Sequence, residues 1–144
     1  MIQLIPALEA DCAFVQNCIE ELEEQHFNTE LFAVKYKTLL ASDNYFTFII
    51  TYDSQPCGLI GISISSLMHH QLPVAEIQEL IIFEAFRNKK IGRRVMTQAL
   101  AFAREKGCEM LELSSRNRRK EAHRFYENNG LEGTHIKFTY RIKS

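Results

Sequence analysis

The basic segment over residues 84–94 has the residue types that most clearly predict chemistry. It follows the apolar run 80–83 and precedes a stretch with apolar residues at helical spacing, so it should join a strand to a helix. The first backbone N–H groups of a helix lack partners within it and, together with the helix dipole, attract an anion. Gly92 would let the backbone approach such a ligand closely. The segment therefore predicts a phosphate-binding loop whose positive field comes from Arg87, Lys89, Lys90, Arg93 and Arg94.

The elements around this loop are predicted from the periodicity of apolar residues. Strands are expected at residues 2–5, 45–52, 57–64, 75–83, 110–113 and 135–142. Helices are expected from the cap candidate Asp11 to Leu22, from residues 28–30 to Leu40, from Ile91 to the terminating Gly107, and over residues 120–129. The order β-α-α-β-β-β-α-β-α-β predicts an α/β fold in which helices cover the faces of a mixed sheet.

Length and composition limit the classes of protein to consider. A chain of 144 residues with 46% hydrophobic content predicts a single domain, residues 1–144. The net charge of −1 lacks the basic excess of a non-specific nucleic-acid binder. The four cysteines show no metal-ligand spacing and are expected to be reduced core thiols. Without a signal-like start or a membrane-length apolar run, the prediction is a cytoplasmic protein with no nucleic-acid or membrane partner.

The basic loop resembles the pyrophosphate loop with which the GNAT superfamily of N-acetyltransferases holds acetyl-CoA. That motif reads Gln/Arg-x-x-Gly-x-Gly/Ala after an aliphatic residue; here Ile82 is the aliphatic residue, Arg87 the first position and Gly92 the last. Lys90 stands where the first glycine is usual, and it can offer its backbone N–H to a phosphate if its dihedral angles are helical. The resemblance implies acetyl-CoA as co-substrate, held by Arg87, Asn88, Lys89, Lys90, Ile91, Gly92 and Arg93.

A second motif lies at residues 121–131, with the spacing Ala-x-x-x-Tyr-x-x-x-Gly-Leu from Ala122 through Tyr126 to Gly130. It resembles the superfamily's second motif, and the two motifs agree in order and separation, so the chain is identified as a member. The resemblance runs from about residue 45 onward and implies a GNAT-like fold with strands splayed at the acetyl-CoA site. Arg119 occupies the place where the superfamily often has an asparagine, and Asn117 is assigned that role instead. Further cofactor contacts are then expected from Ile81, Ile82, Asn117, Ala122 and Phe125.

Acetyl transfer from a thioester to an amine needs a neutral amine, a polarised carbonyl and a proton for the departing thiolate. By the resemblance, strand backbone around Ile81 and Ile82 bonds the pantetheine, and an N–H there faces the developing oxyanion. Tyr126 is the candidate general acid toward the CoA sulfur. The alternative for Tyr126 is that its ring only packs on Ala122 and Phe125.

Glu76 and Glu79, on the strand that leads into the loop, are the candidate bases. Three residues apart, they face opposite sides of a regular strand, but a bulge near Glu79 could bring both toward one cleft. Glu79 is preferred because it lies nearer the expected splay. A solvated carboxylate at a strand edge is the alternative for either residue.

A closer likeness is to the aminoalkylphosphonate N-acetyltransferases of bacterial phosphonate metabolism. It is carried by the phrases at residues 69–70, 76–80, 113–114, 122–126 and 138–139. It implies as acceptor a small primary amine that bears a phosphonate, an anion that suits the arginines and lysine of the second basic cluster at residues 116–124. The candidate acceptor-binding residues are His69, His70, Arg116, His123 and His135.

Several alternatives stay open. His69 and His70 could bind a divalent metal ion with a carboxylate, but adjacent histidines on an extended segment should point apart, which favours contact with solvent or substrate. Competing functions are acetylation of a protein, peptide or polyamine, a non-catalytic acetyl-CoA-binding module, and a nucleic-acid or protein-interaction domain. The resemblance also allows a homodimer, with the last strand as a pairing edge.

Overall fold

The computed structural model describes residues 1–87 and 89–143, which divide into two compact units, one over residues 1–112 and one from residue 113 onward. The predicted single domain stays a prediction. The first unit contains most of the sheet and three helices, and the second contains one helix and the C-terminal segment.

The sheet has five strands in the spatial order β1-β2-β3-β4-β5. Antiparallel pairing joins the first strand to the second, the second to the third and the third to the fourth. The strands are β1 Ile2–Pro6, β2 Tyr45–Tyr52, β3 Gln55–Ser65, β4 Val74–Ile82 and β5 Met110–Leu113. The helices are α1 Cys12–Glu23, α2 Thr29–Leu40, α3 Ile91–Glu105 and α4 Lys120–Asn128, with short 3-10 turns at Glu9–Asp11 and Glu84–Phe86. The predicted α/β class is confirmed.

Helices α1 and α2 pack on one face of the sheet. Their apolar side chains form a core with Leu59 of β3 and Ile81 of β4, and Ile49 of β2 packs against it. Removal of this surface from water stabilises the arrangement by about 25 cal/mol per Å² of apolar area. Since the side chains of a strand alternate between faces, the odd-numbered residues of β2 face these two helices.

Helix α3 packs on the opposite face of the sheet, against even-numbered residues of β2. Phe102 makes edge-to-face contacts with Phe46 and Phe48 of β2, with ring centroids 5.1 and 5.3 Å apart. The side-chain amide of Gln98 donates to the carbonyl of Ile2 at 2.9 Å, which ties α3 to β1. These contacts hold α3 against the sheet, and the predicted phosphate loop lies at the N-terminal end of this helix.

The structure confirms the main predicted boundaries. The Asn28 side chain caps α2 by accepting from the Leu31 backbone N–H at 3.0 Å. Asp11 precedes α1 as predicted, but its carboxylate accepts from the Leu8 N–H at 2.8 Å and does not cap the helix. Gly107 ends α3 with positive φ, and the Cys108 N–H bonds back to the Ala103 carbonyl at 3.0 Å, as in a Schellman motif.

The predicted last strand, residues 135–142, is wrong, because residues 131–143 form neither helix nor strand. Alternation of apolar and polar residues gives a segment one apolar face, but a strand forms only where its backbone groups pair with a neighbouring strand. The apolar side chains of this segment are 73–90% exposed: Ile136, Phe138, Tyr140 and Ile142.

Two smaller predictions concern the cysteines and the membrane. All four cysteines are free, and burial raises the pKa of the Cys18 thiol to about 12, which keeps it protonated. No helix in residues 1–87 and 89–143 is long and apolar enough to cross a bilayer. The cytoplasmic location stays a prediction.

Candidate active site

A bulge in β4 sets the direction of the two candidate bases. Gly61 of β3 pairs with Glu79, whereas the next residue, Ile62, pairs with Ile77, so Gln78 is an extra residue on β4. One extra residue in a strand shifts the alternation of side chains by one position. Glu76 and Glu79 therefore lie on the same face of the sheet, as the expected bulge requires. This face carries α1 and α2.

Glu79 is held by a tyrosine that the sequence did not single out. The Tyr45 hydroxyl, at the start of β2, donates a short hydrogen bond to Glu79 Oε1. Burial raises the pKa of the Glu79 carboxyl, and the nearby Glu23 carboxylate raises it further, whereas the hydrogen bond from Tyr45 opposes both effects. Burial and the Glu79 carboxylate also raise the pKa of the Tyr45 phenol, so at neutral pH Tyr45 is a neutral donor.

A cleft of about 560 Å³ opens beside Tyr45. Tyr45 and Ser63 line it from the sheet, and Gln78, on the bulge, donates to Ser63 Oγ at 2.9 Å. Polar groups that follow α2 and end β3 line it as well, from Ser42, Asn44, Ser65 and Ser66, together with the apolar side chains of Leu39, Ile64 and Pro73. The cleft has the size and polarity to admit a small polar molecule.

The phosphate loop joins β4 to α3 as predicted. Ile91, only 2% exposed, anchors the first turn of α3, whereas the side chains of Arg93 and Arg94 are exposed. The Arg87 side chain instead donates from Nε to the Ile82 carbonyl at 3.0 Å, which fastens the loop to the end of β4. The first backbone N–H groups of α3 thus face the loop with basic side chains around them, an arrangement that fits a diphosphate. Asn88, also predicted to bind the cofactor, lies outside the described residues.

Lys90 does not have the helical dihedral angles that the sequence-based hypothesis required. It precedes α3 with φ 59° and ψ 22°, in the left-handed region. Glycine enters this region without steric cost, which explains why glycine is usual at this position of the motif. Lys90 keeps the glycine-like turn at a cost in strain. Beside it, the ammonium of Lys89 lies 5.7 Å from the centroid of the Tyr52 ring.

Ile81 and Ile82 lie at the end of β4, just before this loop. Ile81 pairs with Leu59 and is 6% exposed, and Ile82 pairs with Gly58. The backbone of these two residues thus pairs with β3. The bonding of pantetheine by these two residues, and the splay of strands that it needs, stay predictions.

The two adjacent histidines meet instead of pointing apart. A turn brings the His70 N–H to the Leu67 carbonyl at 3.1 Å, so the segment is not extended and the two imidazole centroids are 4.6 Å apart. His70 Nδ1 lies 3.2 Å from Glu109 Oε2. Hydrogen bonds from the Leu72 backbone and from His70 lower the pKa of Glu109. Within residues 1–87 and 89–143, no group of three or more His, Cys, Asp or Glu side chains could hold a metal ion.

In the second unit, α4 carries the second motif. Gly130 has positive φ, and the Leu131 N–H returns to the Tyr126 carbonyl at 3.0 Å, so the motif glycine closes the helix. The rings of Phe125 and Tyr126 make an edge-to-face contact at 5.5 Å. Burial raises the pKa of the Tyr126 phenol, an effect that the Arg119 guanidinium opposes.

The other candidates of the second unit lie on α4, on the loop before it and on the C-terminal segment. His123 Nε2 lies 2.8 Å from the Arg116 carbonyl, so these two predicted acceptor residues are neighbours. Asn117 and Ala122 are described on the same loop and helix. His135 is exposed and contacts Thr134 Oγ1 at 2.6 Å. Contacts of all these residues with cofactor or acceptor stay predictions.

Comparison with known proteins decides the family. The model of the "Acetyltransferase (GNAT) family" matches residues 12–131. The chain belongs to the GNAT acetyltransferase family. It is 30% identical to the aminoalkylphosphonate N-acetyltransferase of Salmonella typhimurium over 137 residues, which cover 95% of this chain and 89% of that protein.

Solved structures show the same fold at low sequence identity. A transcriptional regulator from Bacillus halodurans superposes with a TM-score of 0.88 at 18% identity, covering 99% of this chain and 100% of that one. The aminoglycoside N-acetyltransferase AAC(6')-Iy, in complex with CoA, superposes with a TM-score of 0.83 at 15% identity, covering 100% and 96%. As a GNAT enzyme, the chain is an acetyl-CoA-dependent N-acetyltransferase.

Sequence reasoning about this GNAT enzyme missed Tyr45 and Gly61. Gly61 interrupts an apolar strand pattern, and an isolated glycine in a strand signals a bulge or a close approach of other groups. Tyr45 gave no such signal, because its partner Glu79 is 34 residues away in the chain.

The strain at Lys90 predicts an unusual effect of glycine on stability. Lys90→Gly should raise the free energy of unfolding by up to about 1.5 kcal/mol, because the left-handed region costs other residues about 1–2 kcal/mol and glycine loses about 0.5–1 kcal/mol through its unfolded-state entropy. Lys106, which follows α3 with φ −80°, is the matched control, and Lys106→Gly should be destabilising. Urea unfolding without acetyl-CoA measures the free energy of unfolding of both variants. A Lys90→Gly variant less stable than the parent protein would contradict the inference that the backbone of Lys90 is strained.

Proposed function

We propose that this enzyme transfers the acetyl group of acetyl-CoA to the primary amine of an aminoalkylphosphonate, by direct attack of the amine on the thioester. The observation that carries the proposal is the 30% identity, over 95% of the chain, to an aminoalkylphosphonate N-acetyltransferase. Glu76 and Glu79 lie on one face of the sheet. Two carboxyl groups on one face would attract an acceptor amine in its ammonium form, which supports the proposal.

Glu79 is the proposed base. A reactive amine must first lose a proton, and a carboxylate becomes a better acceptor as its pKa rises toward the working pH. Burial moves the pKa of Glu79 in that direction. Glu76 lies on the same face, which lets it attract the ammonium ion before deprotonation. A backbone N–H at the end of β4 then stabilises the oxyanion, and one such donor is worth roughly 3 kcal/mol.

Tyr126 is the proposed hydrogen-bond donor to the departing sulfur. The pKa of its phenol lies above its ordinary value, so it keeps its proton at neutral pH. A thiol, with a reference pKa of about 8.5, is more acidic than a phenol at about 10, so full proton transfer to the thiolate is uphill. Tyr126 therefore helps mainly by stabilising the thiolate while it leaves.

The phosphonate is proposed to bind the second basic cluster. The guanidinium groups of the arginines in this cluster can form paired hydrogen bonds with phosphonate oxygens. The side chains of this cluster are exposed and can meet an anion from solvent: Arg116, Arg118, Arg119, Lys120 and Arg124. A phosphonate would thus be recognised by charge and geometry.

Release of free CoA thiol with a panel of amines tests the acceptor. We expect the enzyme to prefer 2-aminoethylphosphonate over 2-aminoethylsulfonate, its sulfonate analogue, by at least about tenfold in kcat/KM, which corresponds to about 1.4 kcal/mol. Polyamines, aminoglycosides and peptides complete the panel, with and without divalent metal. If another amine is acetylated and no phosphonate is, the proposed phosphonate acceptor is refuted, whereas the acetyltransferase activity is supported. Acetyl-CoA binding without any turnover would favour a non-catalytic module.

Tyr126→Phe should lower kcat by about 10- to 100-fold, as expected for loss of a hydrogen bond to a charged group worth about 1.5–3 kcal/mol. Its affinity for acetyl-CoA, measured by calorimetry, should change little because the ring is kept. An unchanged kcat would remove Tyr126 from the mechanism and leave it the packing role.

We also propose that the enzyme forms a homodimer through its C-terminal segment. The four exposed apolar side chains at alternating positions of residues 136–142 form the kind of surface that association removes from water. Such an alternating segment is also suited to pair with the edge strand of a second copy.

Sedimentation measurements test the homodimer. The protein should sediment at twice its 16.7 kDa monomer mass. Phe138→Ser with Tyr140→Ser should sediment as a monomer, because both changes remove exposed apolar area from the segment. The control Lys137→Ser changes a residue that alternates with them and should remain dimeric. A monomeric parent protein would refute the proposal.

A further inference from the structure

Three strands together enclose the Glu79 carboxylate. Glu79 lies on β4, Gly61 faces it from β3, and the Tyr45 hydroxyl reaches it from β2. A Cβ atom at Gly61 would overlap Glu79 Oε1 and would lie 3.1 Å from the Tyr45 hydroxyl oxygen. Because Gly61 has no side chain, the Glu79 carboxylate and the Tyr45 phenol can meet in the space beside it.

This contact crosses an intervening strand. Tyr45 pairs with Ser63 on β3, and Ser63 in turn pairs with Glu76, so β2 and β4 are separated by β3. Neighbouring strands are about 4.8 Å apart, which puts β2 and β4 nearly 10 Å apart. Only long side chains that extend toward each other over a glycine can close that gap. The bulge and Gly61 are thus both needed for this hydrogen bond.

We infer that Tyr45 is a positioning residue for the reaction: its hydroxyl fixes Oε1 of Glu79 and leaves Oε2 to accept the proton of the acceptor ammonium. The inference rests on the proposed role of Glu79 as base. In the step concerned, the N–H bond of the ammonium breaks, its proton bonds to Oε2 directly or through one water, and the nitrogen keeps the electron pair that attacks the thioester carbonyl. Tyr45 keeps its own proton throughout.

Two titratable groups on other elements act on Glu79. Tyr45 from β2 donates to the carboxylate and lowers the pKa of Glu79, and Glu23 from α1 raises it. Glu76 shares the face on β4, and β3 contributes the uncharged Gly61. A group whose pKa is lowered by a donor loses its proton at lower pH, so Tyr45 widens the pH range over which Glu79 can act as base.

Tyr45→Phe tests the inference through the pH profile of kcat/KM. Without the donor, the pKa of Glu79 rises and the acidic limb should move to higher pH. We expect about tenfold lower activity on that limb, as for the loss of a hydrogen bond to a charged group, and a smaller loss above it. Tyr36→Phe is the matched control, because it removes a phenol of a buried tyrosine that donates to the Leu8 carbonyl at 2.6 Å. It should leave the limb in place.

A double-mutant comparison separates positioning from general structural damage. If Tyr45 acts through Glu79, Tyr45→Phe should cause no further loss in the Glu79→Gln background. An equal loss in both backgrounds, or an unmoved acidic limb, would overturn the inference. Full activity of Glu79→Gln would instead refute the proposed base and this inference with it, while the acceptor panel would still report on the acetyltransferase itself.

An independent measurement needs no change at Tyr45, in case Tyr45→Phe does not fold. Phenolate absorbance near 295 nm can be titrated in the parent protein and in Glu79→Gln. Loss of the neighbouring carboxylate should lower the pH at which one tyrosine ionises. Identical titration curves for the two proteins would show that the pair does not exist in solution and would overturn the inference.

Discussion

The pairing of β3 with β4 around Gly61 is the constraint from which the rest of the candidate site follows. The extra residue Gln78 places Glu76 and Glu79 on one face, and the missing side chain of Gly61 gives the Glu79 carboxylate room beside Tyr45. Without the bulge, the two glutamates would point to opposite faces of the sheet. Without the glycine, the carboxylate and the phenol could not occupy their present positions. A local irregularity of one strand thus concentrates negative charge on the face that carries α1 and α2.

This concentration of charge makes chemical sense for an amine acceptor. Carboxylates attract an ammonium ion, and a carboxylate with a raised pKa can also remove its proton. The Tyr45 hydrogen bond opposes the effect of burial on the pKa of Glu79, which stays above its ordinary value. The cleft beside Tyr45 is lined by hydroxyl and amide groups as well as apolar side chains, so it can hold a molecule without binding it by charge alone.

Positive charge is organised separately, at helix starts and in loops. At the start of α3, backbone N–H groups and basic side chains meet in a loop that Arg87 fastens to β4. Lys90 retains a left-handed turn there at a cost in strain, which is the behaviour expected when the shape of a loop matters more than the preference of one residue. The second basic cluster precedes and begins α4, beside the motif that carries Tyr126.

The sequence by itself determined the family, the strand-loop-helix unit of the phosphate loop, the hairpin of β2 and β3, and the glycine-terminated helices. These features depend on residues close together in the chain, so motif spacing and periodicity suffice to predict them. The last strand was mispredicted because alternation describes one segment, whereas a strand needs a partner. Only the tertiary structure decided that Glu76 and Glu79 share a face, that His69 and His70 meet, and that Tyr45 holds Glu79. The direction of a side chain on a strand depends on its register with neighbouring strands, and this register is set by contacts between residues far apart in the chain.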